Sequence, residues 1–584
     1  AYINWGNTLQ EQEKLDDALV SYQKALSINP KNALIYNNMG NVFKKQNKFN
    51  EALNSYKQAL NLKPDFTGAL SNFGSVLQHY SFEKQDQEIE KIIILLFDRK
   101  TLVRPRNIAR TVISLVKLDP YLSNELCLGL KIEDLTSLNN IILKLLKLPL
   151  LIKLMGLVPV PEISIERMFT KIREKLLLFN SELKNSKEIL EFQIALALQC
   201  YTNEYIYLIN DAEIKALEEL EISILSLLKK GKQPTPTVVL CMASYKALYQ
   251  YEWNNKITVN EYIEEVFKRQ VTEPGYEFKL KSRIPILEEI TNKISSKVRE
   301  QYESNPYPRC VDTKLIFNPL FIYEMVNGSK LKLFDNSIID VKKPKILIAG
   351  CGTGQHSLFT KSNFKNSTVL AVDLSLSSLA YAKRKTEEYN YSDIEYMQAD
   401  ILDLKKLGRE FDIVESVGVL HHMDDPMAGW RVLTSCLKKG GLMKIGLYSE
   451  LARKNIVKIR EKFKKYDTCL NKKEIIDFRK TLCDLKNDDY RFFYRFNDFF
   501  SLSEFRDLLL HIQEHRFTIP QIQSNLAELG LKFCGFDDDT IIQNFKLANV
   551  EKFDLYDLNK WRLYEEANPI AFIGMYQFWC QKVV

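Results

Sequence analysis

The sequence predicts a multidomain protein that combines all-α regions with an α/β region. Its 584 residues exceed what one hydrophobic core usually accommodates, so several domains are expected. Three observations define them: a 34-residue repeat at the N-terminus, helical spacing of apolar residues through the middle, and a buried-strand pattern that runs into a glycine-rich loop near residue 350. We therefore expect helical repeats over residues 1–80, a helical middle domain over 81–295, and an α/β region after it.

Composition and charge are those of an ordinary folded protein, and they disfavour several classes of function. Hydrophobic residues make up 46% of the chain and charged residues 27%, which is typical of globular domains. The net charge of +7 is spread out without a lysine or arginine block, so no nucleic-acid partner is expected. The ten cysteines include no CxxC pair, which favours reduced thiols and a cytoplasmic location over disulfides or a zinc site.

The most apolar segment, Ile141 to Val160, bears on whether the chain enters a membrane. Lys144, Lys147 and Lys153 interrupt it, and charges at such intervals are costly inside a bilayer. We therefore expect a buried or amphipathic helix and no membrane insertion.

The N-terminal repeat is recognised by five residues that recur after 34 positions. Gly6, Ala18, Tyr22, Ala25 and Pro30 return as Gly40, Ala52, Tyr56, Ala59 and Pro64. This period and this pattern of small residues are typical of tetratricopeptide repeats, whose paired helices pack closely. A third copy opens at Gly74 and then fades.

The same register aligns asparagines on the first helix of each repeat. Asn4, Asn38 and Asn72 coincide, and Asn7 and Asn41 lie three residues further along. Stacked amides can donate to and accept from peptide groups, which suits binding of an extended protein segment. The alternative is an ordinary polar surface. Residues 81–295 keep helical spacing, as in Ile165 to Leu178, without visible chemistry.

The α/β region begins with a buried-strand pattern at Lys345–Ala349, followed by a GxGxG loop and a helix. Glycines are needed there because side chains would block the approach of a cofactor to the backbone and to the helix N-terminus. A nicotinamide dinucleotide fingerprint would place a third glycine where this chain has Gln355. The pattern therefore favours another adenosine cofactor and a Rossmann-like core over residues 296–448.

Later strand ends carry polar groups suited to the rest of such a cofactor. A strand at Thr368 to Val372 leads into Asp373, whose carboxylate can take both ribose hydroxyls. A third strand ends at Asp400-Ile401, which suit an adenine amino group and ring face. The fourth strand runs from Phe411 to Glu415, and the fifth, after a turn at 439–441, covers 442–448. The residues expected to bind the cofactor are Gly350, Cys351, Gly352, Thr353, Gly354, Asp373, Leu374, Asp400, Ile401, Ser416, Val417, His421 and, from a preceding segment, Arg309.

Together these strand ends resemble the class I S-adenosylmethionine-dependent methyltransferase superfamily. The resemblance implies S-adenosyl-L-methionine as the cofactor, bound at the C-terminal edge of a parallel sheet. Leu531 to Phe536 and Met575 to Lys582 fit the last two strands of that fold, within a C-terminal part at 531–584. Residues 449–530 are then a helical insertion over the active site.

Further segments resemble bacterial proteins that join tetratricopeptide repeats to a methyltransferase domain. They are Gln199-Cys200 with Asn203-Glu204-Tyr205, the run from Gln301 to Arg309, and Gln513 to Phe517. The resemblance implies a protein-lysine methyltransferase whose substrate is an outer-membrane surface protein in extended or unfolded form. The aromatic residue expected after Tyr307-Pro308-Arg309 is Cys310 here.

Candidate residues for orienting or deprotonating a lysine amine are Tyr302, Tyr307, Glu514 and His515. Prolines stiffen the segment around Tyr307 and Arg309, which we expect to form a lid over the cofactor. Capping boxes at Ser501/Glu504 and Thr518/Gln521 flank the joint that contains Glu514 and His515. Metal binding is not expected, because His421 and His422 are adjacent, point apart, and have no evident third ligand.

Two other functions remain open at this point. One is a small-molecule methyltransferase whose repeats serve for docking elsewhere, since an LHH segment after the fourth strand is common in such enzymes. The other is a non-catalytic scaffold, against which the intact glycine loop and Asp373 argue. The oligomeric state is also open, with a homodimer as one alternative.

Overall fold

The computed structural model describes residues 1–183, 185–463, 470–485, 492–548 and 554–583. Parts of the predicted insertion, at 464–469 and 486–491, and of the C-terminal part, at 549–553 and 584, lie outside these residues. The chain forms two compact units. Unit 1 comprises Ala1–Glu273, Cys310–Leu315 and Ile476–Leu502, and unit 2 comprises Pro274–Arg309, Ile316–Ile475 and Ser503–Val584.

Unit 1 is helical, as the spacing of apolar residues predicts. Its helices are α1 (Tyr2–Glu11), α2 (Leu15–Ile28), α3 (Ala33–Lys45), α4 (Phe49–Leu62), α5 (Thr67–Leu77), α6 (Gln87–Asp98), α7 (Pro105–Val116), α8 (Pro120–Leu128), α9 (Leu135–Leu145), α10 (Pro149–Met155), α11 (Ile163–Leu178), α12 (Lys187–Thr202), α13 (Asp211–Lys229), α14 (Pro236–Ala243) and α15 (Glu264–Phe267). Helices α1 to α4 are the two complete repeats, and α5 opens the third.

The repeat helices pack closely because glycine lies where an aromatic ring crosses. A Cβ atom added at Gly6 would lie 2.5 Å from the ring of Tyr22, and one at Gly40 would lie 2.5 Å from the ring of Tyr56. Both tyrosines are fully buried. The recurring glycine and tyrosine therefore make the same contact in each of the two successive repeats.

The asparagines of the repeats bond to one another across α1, α3 and α5. Asn38 donates to the Oδ1 of Asn7 at 3.0 Å, and Asn72 donates to the Oδ1 of Asn37 at 3.0 Å. Asn37 in turn donates to Asn38 at 3.3 Å. Asn4 is exposed. The amides thus form a connected row, and part of their hydrogen-bonding capacity is used between helices.

The predicted insertion at 449–530 is divided between the units. Residues 476–502 pack in unit 1, where the guanidinium of Arg479 donates to both carboxylate oxygens of Glu166, each at 2.7 Å. Arg106 also pairs with Asp498 at 2.6 Å. These ion pairs join segments more than 300 residues apart, which local sequence patterns cannot reveal.

The apolar segment at 141–160 is broken into two helices rather than one. Among the described residues, no single helix has the length and apolar composition to span a membrane. Helices α9 and α10 reach that length and apolar composition only when they are taken together, and the chain bends by 96° between them.

Unit 2 is built on a mixed seven-stranded sheet in the order β3-β2-β1-β4-β5-β7-β6. Its strands are β1 (Lys345–Ala349), β2 (Thr368–Asp373), β3 (Ile394–Gln398), β4 (Phe411–Val417), β5 (Leu437–Leu447), β6 (Leu531–Phe536) and β7 (Tyr576–Lys582). Strands β1 to β5 are parallel, and β7 runs antiparallel to both β5 and β6. The expected Rossmann-like sheet is confirmed.

The remaining helices belong to unit 2, except α23, most of which lies in unit 1. They are α16 (Glu273–Lys281), α17 (Lys293–Ser304), α18 (Ile322–Gly328), α19 (Gln355–Asn363), α20 (Leu376–Glu388), α21 (Pro426–Cys436), α22 (Lys454–Lys462), α23 (Lys472–Asp484), α24 (Leu502–Leu510), α25 (Ile519–Glu528), α26 (Asp539–Ala548) and α27 (Leu558–Ala567). The predicted capping box of Thr518 and Gln521 begins α25.

The central strands are buried on both faces, as expected for parallel strands covered by helices. In β1, Leu347 and Ala349 belong to one apolar cluster, and Ile346 and Ile348 belong to the other. Because these strands are fixed by packing on both faces, their carboxyl ends lie at one edge of the sheet, where the polar loops that follow them come together.

Candidate functional site

A cavity of about 270 Å³ lies at the carboxyl edge of the parallel strands in unit 2. This is the edge at which doubly wound sheets bind their ligands. Its walls come from the loops after β1 to β5, from α17 and from α24. They include Ile294, Val298, Tyr302, Tyr307, Gly350, Cys351, Gly352, Thr353, His356, Asp373, Leu374, Asp400, Ile401, Val417, Val419, His422, Tyr448, Asp507 and Met575.

The glycine loop has a backbone that other residues would strain. Gly350 and Gly352 have φ values of 79° and 51°, in the left-handed region. A Cβ at Gly352 would lie 2.8 Å from the carbonyl oxygen of Tyr307, and one at Gly350 would lie 2.3 Å from Val419. The glycines thus allow the loop to approach its neighbours at the cavity wall.

Asp373 lies where β2 ends and points its carboxylate into the same wall. One oxygen accepts the N–H of Gly352 at 2.8 Å, and the other accepts the N–H of Ser375 at 2.9 Å. Burial raises the pKa of Asp373, although these backbone bonds oppose the shift. Each oxygen keeps a lone pair for a further donor, which fits two ribose hydroxyls.

The next strand end carries the residues that the sequence analysis expects to contact adenine. Asp400 accepts the N–H of Leu402 at 3.0 Å and caps a short 3-10 helix that begins at Ile401. Leu374, Ala399 and Ile401 line the cavity beside it with apolar groups. A polar acceptor next to apolar walls fits an adenine ring, so these residues suit an adenosine cofactor.

On the other side of β1, ionisable and aromatic side chains from distant segments meet. The hydroxyl of Tyr302 donates to Asp507 at 2.8 Å and lies 3.2 Å from the Nε2 of His511. The rings of His422 and His511 stack with centroids 3.5 Å apart. Burial raises the pKa of Tyr302 well above its ordinary range, so its hydroxyl stays protonated.

This cluster brings together a possible ligand set that the sequence analysis did not find. Ring nitrogens of His422 and His511 and a carboxylate oxygen of Asp507 all lie within 4.8 Å of one another. The sequence analysis found no evident third ligand for the pair His421 and His422, whereas the fold brings Asp507 and His511 close to His422. Asp507 and His511 follow His422 by more than 80 residues, so no local spacing indicates the group.

Of the four predicted catalytic residues, Tyr302 and Tyr307 line the cavity, whereas Glu514 and His515 are not among its lining residues. Glu514 pairs with Arg453 and Arg460, each at 2.8 Å. Burial by itself would raise the pKa of Glu514, but these arginines lower it. The paired carboxylate therefore stabilises the joint and does not face the cavity.

Four residues expected to bind the cofactor also lie outside the cavity lining: Arg309, Gly354, Ser416 and His421. Gly354 begins α19, where an added Cβ would lie 2.5 Å from Ala382. His421 is fully buried and stacks on Tyr448 with ring centroids 3.8 Å apart. Packing against neighbouring elements, which the loop sequence does not encode, accounts for Gly354 and His421.

His356 is a lining residue that the sequence analysis did not single out. It follows the glycine loop, and its Nε2 lies 2.6 Å from the buried carboxylate of Glu415. Burial by itself would raise the pKa of Glu415, but His356 lowers it. The one sequence signal that could have identified His356 as a lining residue was its position at the start of α19, just after the glycine loop.

Comparison with known families covers both parts of the chain. Residues 346–441 match the family described as a methyltransferase domain. Residues 6–47 and 33–66 match families described as tetratricopeptide repeats.

Curated relatives match parts of the chain. An uncharacterized protein of Synechococcus is 28% identical over 237 residues, which cover 38% of this chain and 56% of that protein. The malonyl-[acyl-carrier protein] O-methyltransferase of Hamiltonella defensa is 31% identical over 128 residues, covering 22% of this chain and 46% of that enzyme. The chain thus spans about half the length of these relatives.

Among solved structures, PKMT2 from Rickettsia typhi in complex with AdoHcy matches with 16% identity and a TM-score of 0.34. The match covers 48% of this chain and 55% of that one. The matches to known families, the strand order of the sheet and the position of the cavity all point to the same kind of domain. The chain therefore combines tetratricopeptide repeats with a class I methyltransferase domain whose cofactor is S-adenosylmethionine.

Proposed function

We propose that this protein methylates lysine side chains of a protein substrate. The observation that carries the proposal is the buried carboxylate of Asp507 in the cavity wall, next to Tyr302 and His422. A carboxylate attracts a cationic or partly cationic amine and repels an acceptor that is itself a carboxylate. Tyr307 and Tyr448 add aromatic walls, which suit the aliphatic stem of lysine.

The order of the strands gives the cavity two sides. Asp400 follows β3 and Asp373 ends β2, on one side of β1, whereas His422 and Tyr448 follow β4 and β5, on the other. The nucleoside part of the cofactor fits the first side. The second side is then left for the methyl acceptor.

When bound, S-adenosylmethionine supplies a methyl carbon, whose bond to sulfur breaks as the bond to nitrogen forms, with the electron pair left on sulfur. The acceptor amine must first release one proton to solvent, because only its neutral form has a lone pair. For a lysine of ordinary pKa, this costs about 4.6 kcal/mol near pH 7. Partial desolvation by the aromatic walls lowers that cost.

The tetratricopeptide repeats support a protein substrate, because a small metabolite needs no such array. Their row of amides keeps donors and acceptors beyond those used between helices, which suits an extended segment. We extend the proposal to an outer-membrane surface protein, met in extended form in the cytoplasm, on the resemblance of the sequence segments described above.

The test uses the full chain with radiolabelled S-adenosylmethionine and an unstructured peptide that contains lysine. The matched control peptide carries arginine at each lysine position. We expect label on the first peptide only, and mass spectrometry should find added units of about 14 Da on lysine, one CH₂ each.

Two results would contradict the proposal. Label on both peptides, released by mild base, would indicate a carboxylate acceptor. Label on small molecules such as quinol or acyl-carrier substrates, with neither peptide modified, would favour a small-molecule methyltransferase.

A further inference from the structure

We infer that His356, held in place by the buried carboxylate of Glu415, binds the carboxylate group at the amino acid end of S-adenosylmethionine. The inference concerns the cofactor and does not depend on which acceptor is methylated. It predicts that the protein distinguishes the intact cofactor from a form that lacks only this carboxylate. Glu415 is a positioning residue here, because it contacts His356 and is not among the residues that line the cavity.

The pair is built by one face of α19 against β4. His356 is the second residue of α19, and Thr360 follows it by four positions, so both side chains lie on the same face of the helix. The Nε2 of His356 lies 2.6 Å from the Oε2 of Glu415 in β4. The hydroxyl of Thr360 donates to the same oxygen at 2.7 Å. These two contacts fix the carboxylate, and the carboxylate in turn fixes the imidazole ring.

The contact with Glu415 determines which nitrogen of His356 is protonated. Burial by itself would raise the pKa of Glu415, but His356 and Lys444 lower it, so the side chain is a carboxylate at neutral pH. A carboxylate oxygen can only accept, and at 2.6 Å the proton between the two groups therefore lies on Nε2. Within the described parts of the chain, nothing bonds to the other nitrogen, Nδ1. That nitrogen is left for a ligand.

The exposure of the two side chains agrees with this assignment. The carboxylate of Glu415 is only 3% exposed, whereas the side chain of His356 is 23% exposed and lines the cavity. The imidazole thus separates a buried negative charge from the space that the cofactor occupies.

The order of the strands places this pair where the amino acid end of the cofactor arrives. The nucleoside part fits Asp400, which follows β3, and Asp373, which ends β2. Along the order β3-β2-β1-β4, the rest of an extended cofactor then reaches the ends of β1 and β4. His356 belongs to the helix that follows β1, and Glu415 belongs to β4.

The charges of the cavity wall leave few partners for a carboxylate. Among the described residues that line the cavity, none is lysine or arginine, so the cationic form of a histidine is required. Burial lowers the pKa of His422 to about 4, which keeps that ring neutral at neutral pH. A ring that donates to Glu415 from one nitrogen and to the cofactor from the other is an imidazolium between two carboxylates. Hydrogen bonds between charged groups of this kind are the stronger ones.

Calorimetry on the full chain tests the inference without any turnover. The two ligands are S-adenosylhomocysteine and its decarboxylated form, S-adenosyl-3-thiopropylamine. We expect the parent protein to bind the first more tightly. His356→Ala should weaken binding of S-adenosylhomocysteine roughly 10- to 100-fold, as expected for a lost bond between charged groups. The Kd of the decarboxylated ligand should stay within twofold of its parent value, which also shows that the cavity of the variant is folded.

A second variant tests the role of the buried carboxylate. Glu415→Gln keeps the size of the side chain and removes its charge, and it should weaken binding of S-adenosylhomocysteine about tenfold. The decarboxylated ligand should again bind as it does to the parent protein. His79→Ala is the control for loss of a histidine, because His79 is an exposed residue of unit 1. It should change neither Kd.

Several results would overturn the inference. Equal weakening of both ligands by His356→Ala would mean that the residue shapes the cavity without contacting the carboxylate. Unchanged binding of both ligands would remove His356 from the cofactor site. If His356→Ala instead abolishes the preference over a deaminated form of S-adenosylhomocysteine, the ring binds the ammonium group. Failure to methylate a lysine peptide would contradict the proposed function and leave these Kd comparisons valid.

Discussion

At the residue scale, Asp373 illustrates a role that geometry and sequence support together. Its two carboxylate oxygens accept backbone N–H groups at 2.8 and 2.9 Å, so the side chain is oriented before any ligand arrives. A carboxylate oriented in this way loses little freedom on binding a ribose. Its contribution to cofactor affinity should therefore be large.

We predict that Asp373→Ala weakens S-adenosylmethionine binding by about 1.5 to 3 kcal/mol, as expected for lost hydrogen bonds to a charged group. Calorimetry on the folded variant measures this directly. Glu395→Ala removes an exposed carboxylate on the neighbouring strand β3 and should leave the Kd unchanged. Equal affinity of Asp373→Ala and the parent protein would remove Asp373 from the ribose site.

Also at this scale, Glu514 shows why a polar residue at a conspicuous joint need not be catalytic. Three arginines, Arg453, Arg460 and Arg516, surround its carboxylate. They come from segments on either side of it along the chain. Only the folded arrangement reveals that this charge is already paired.

At the scale of elements, local patterns located the strands well. Strands β1 and β6 coincide with their predicted ranges, and β2, β4 and β7 agree within two residues. The third strand ends at Gln398, before Asp400, because Asp400 caps the 3-10 helix that follows. Strand β5 begins at Leu437, five residues earlier than expected. The segment at 439–441, which was predicted to be a turn, is instead part of the strand, at the point where the pairing between β5 and β4 is irregular.

The repeat helices allow a second prediction. We expect Gly40→Ala to destabilise unit 1 by about 1 to 3 kcal/mol, since the added methyl group overlaps the buried ring of Tyr56. Thermal unfolding followed by circular dichroism measures the change. Gly275→Ala is the matched control in a helix with open space around the added Cβ, and it should be neutral or stabilising. Equal destabilisation by both substitutions would contradict the packing argument.

At the scale of the whole molecule, stability should depend on pH through buried histidines. Burial holds the pKa of His422 at about 4 in the folded protein, against an ordinary value of 6.5. The unfolded chain then binds more protons between these values, so the free energy of unfolding falls as pH falls from about 6.5 to about 4.

We predict that His422 accounts for about 2 kcal/mol of stability lost between pH 7 and pH 4.5. Urea denaturation at both pH values should show a steeper loss for the parent protein than for His422→Gln. Parallel losses in the two proteins would mean that His422 is already accessible to protons in the folded state.

The repeats provide a prediction that involves the full chain. Replacing Asn4, Asn38 and Asn72 with alanine should raise KM for a protein acceptor, because amides that would bind the substrate backbone are lost. The Kd for S-adenosylmethionine should not change. If the triple variant keeps the KM of the parent protein while remaining folded, the amides act only between helices.

The sequence by itself determined the repeats, the sheet and the cofactor loop, because their signals lie within short segments. Glycine at Gly350 and Gly352 reflects a local backbone conformation, and the strands reflect runs of apolar residues. Only the tertiary structure decided which polar side chains share the cavity. Asp507 and His511 meet Tyr302 and His422 across intervals of about 85 to 210 residues. Contacts over such distances depend on how buried surfaces pack, and no periodicity or spacing along the chain records that.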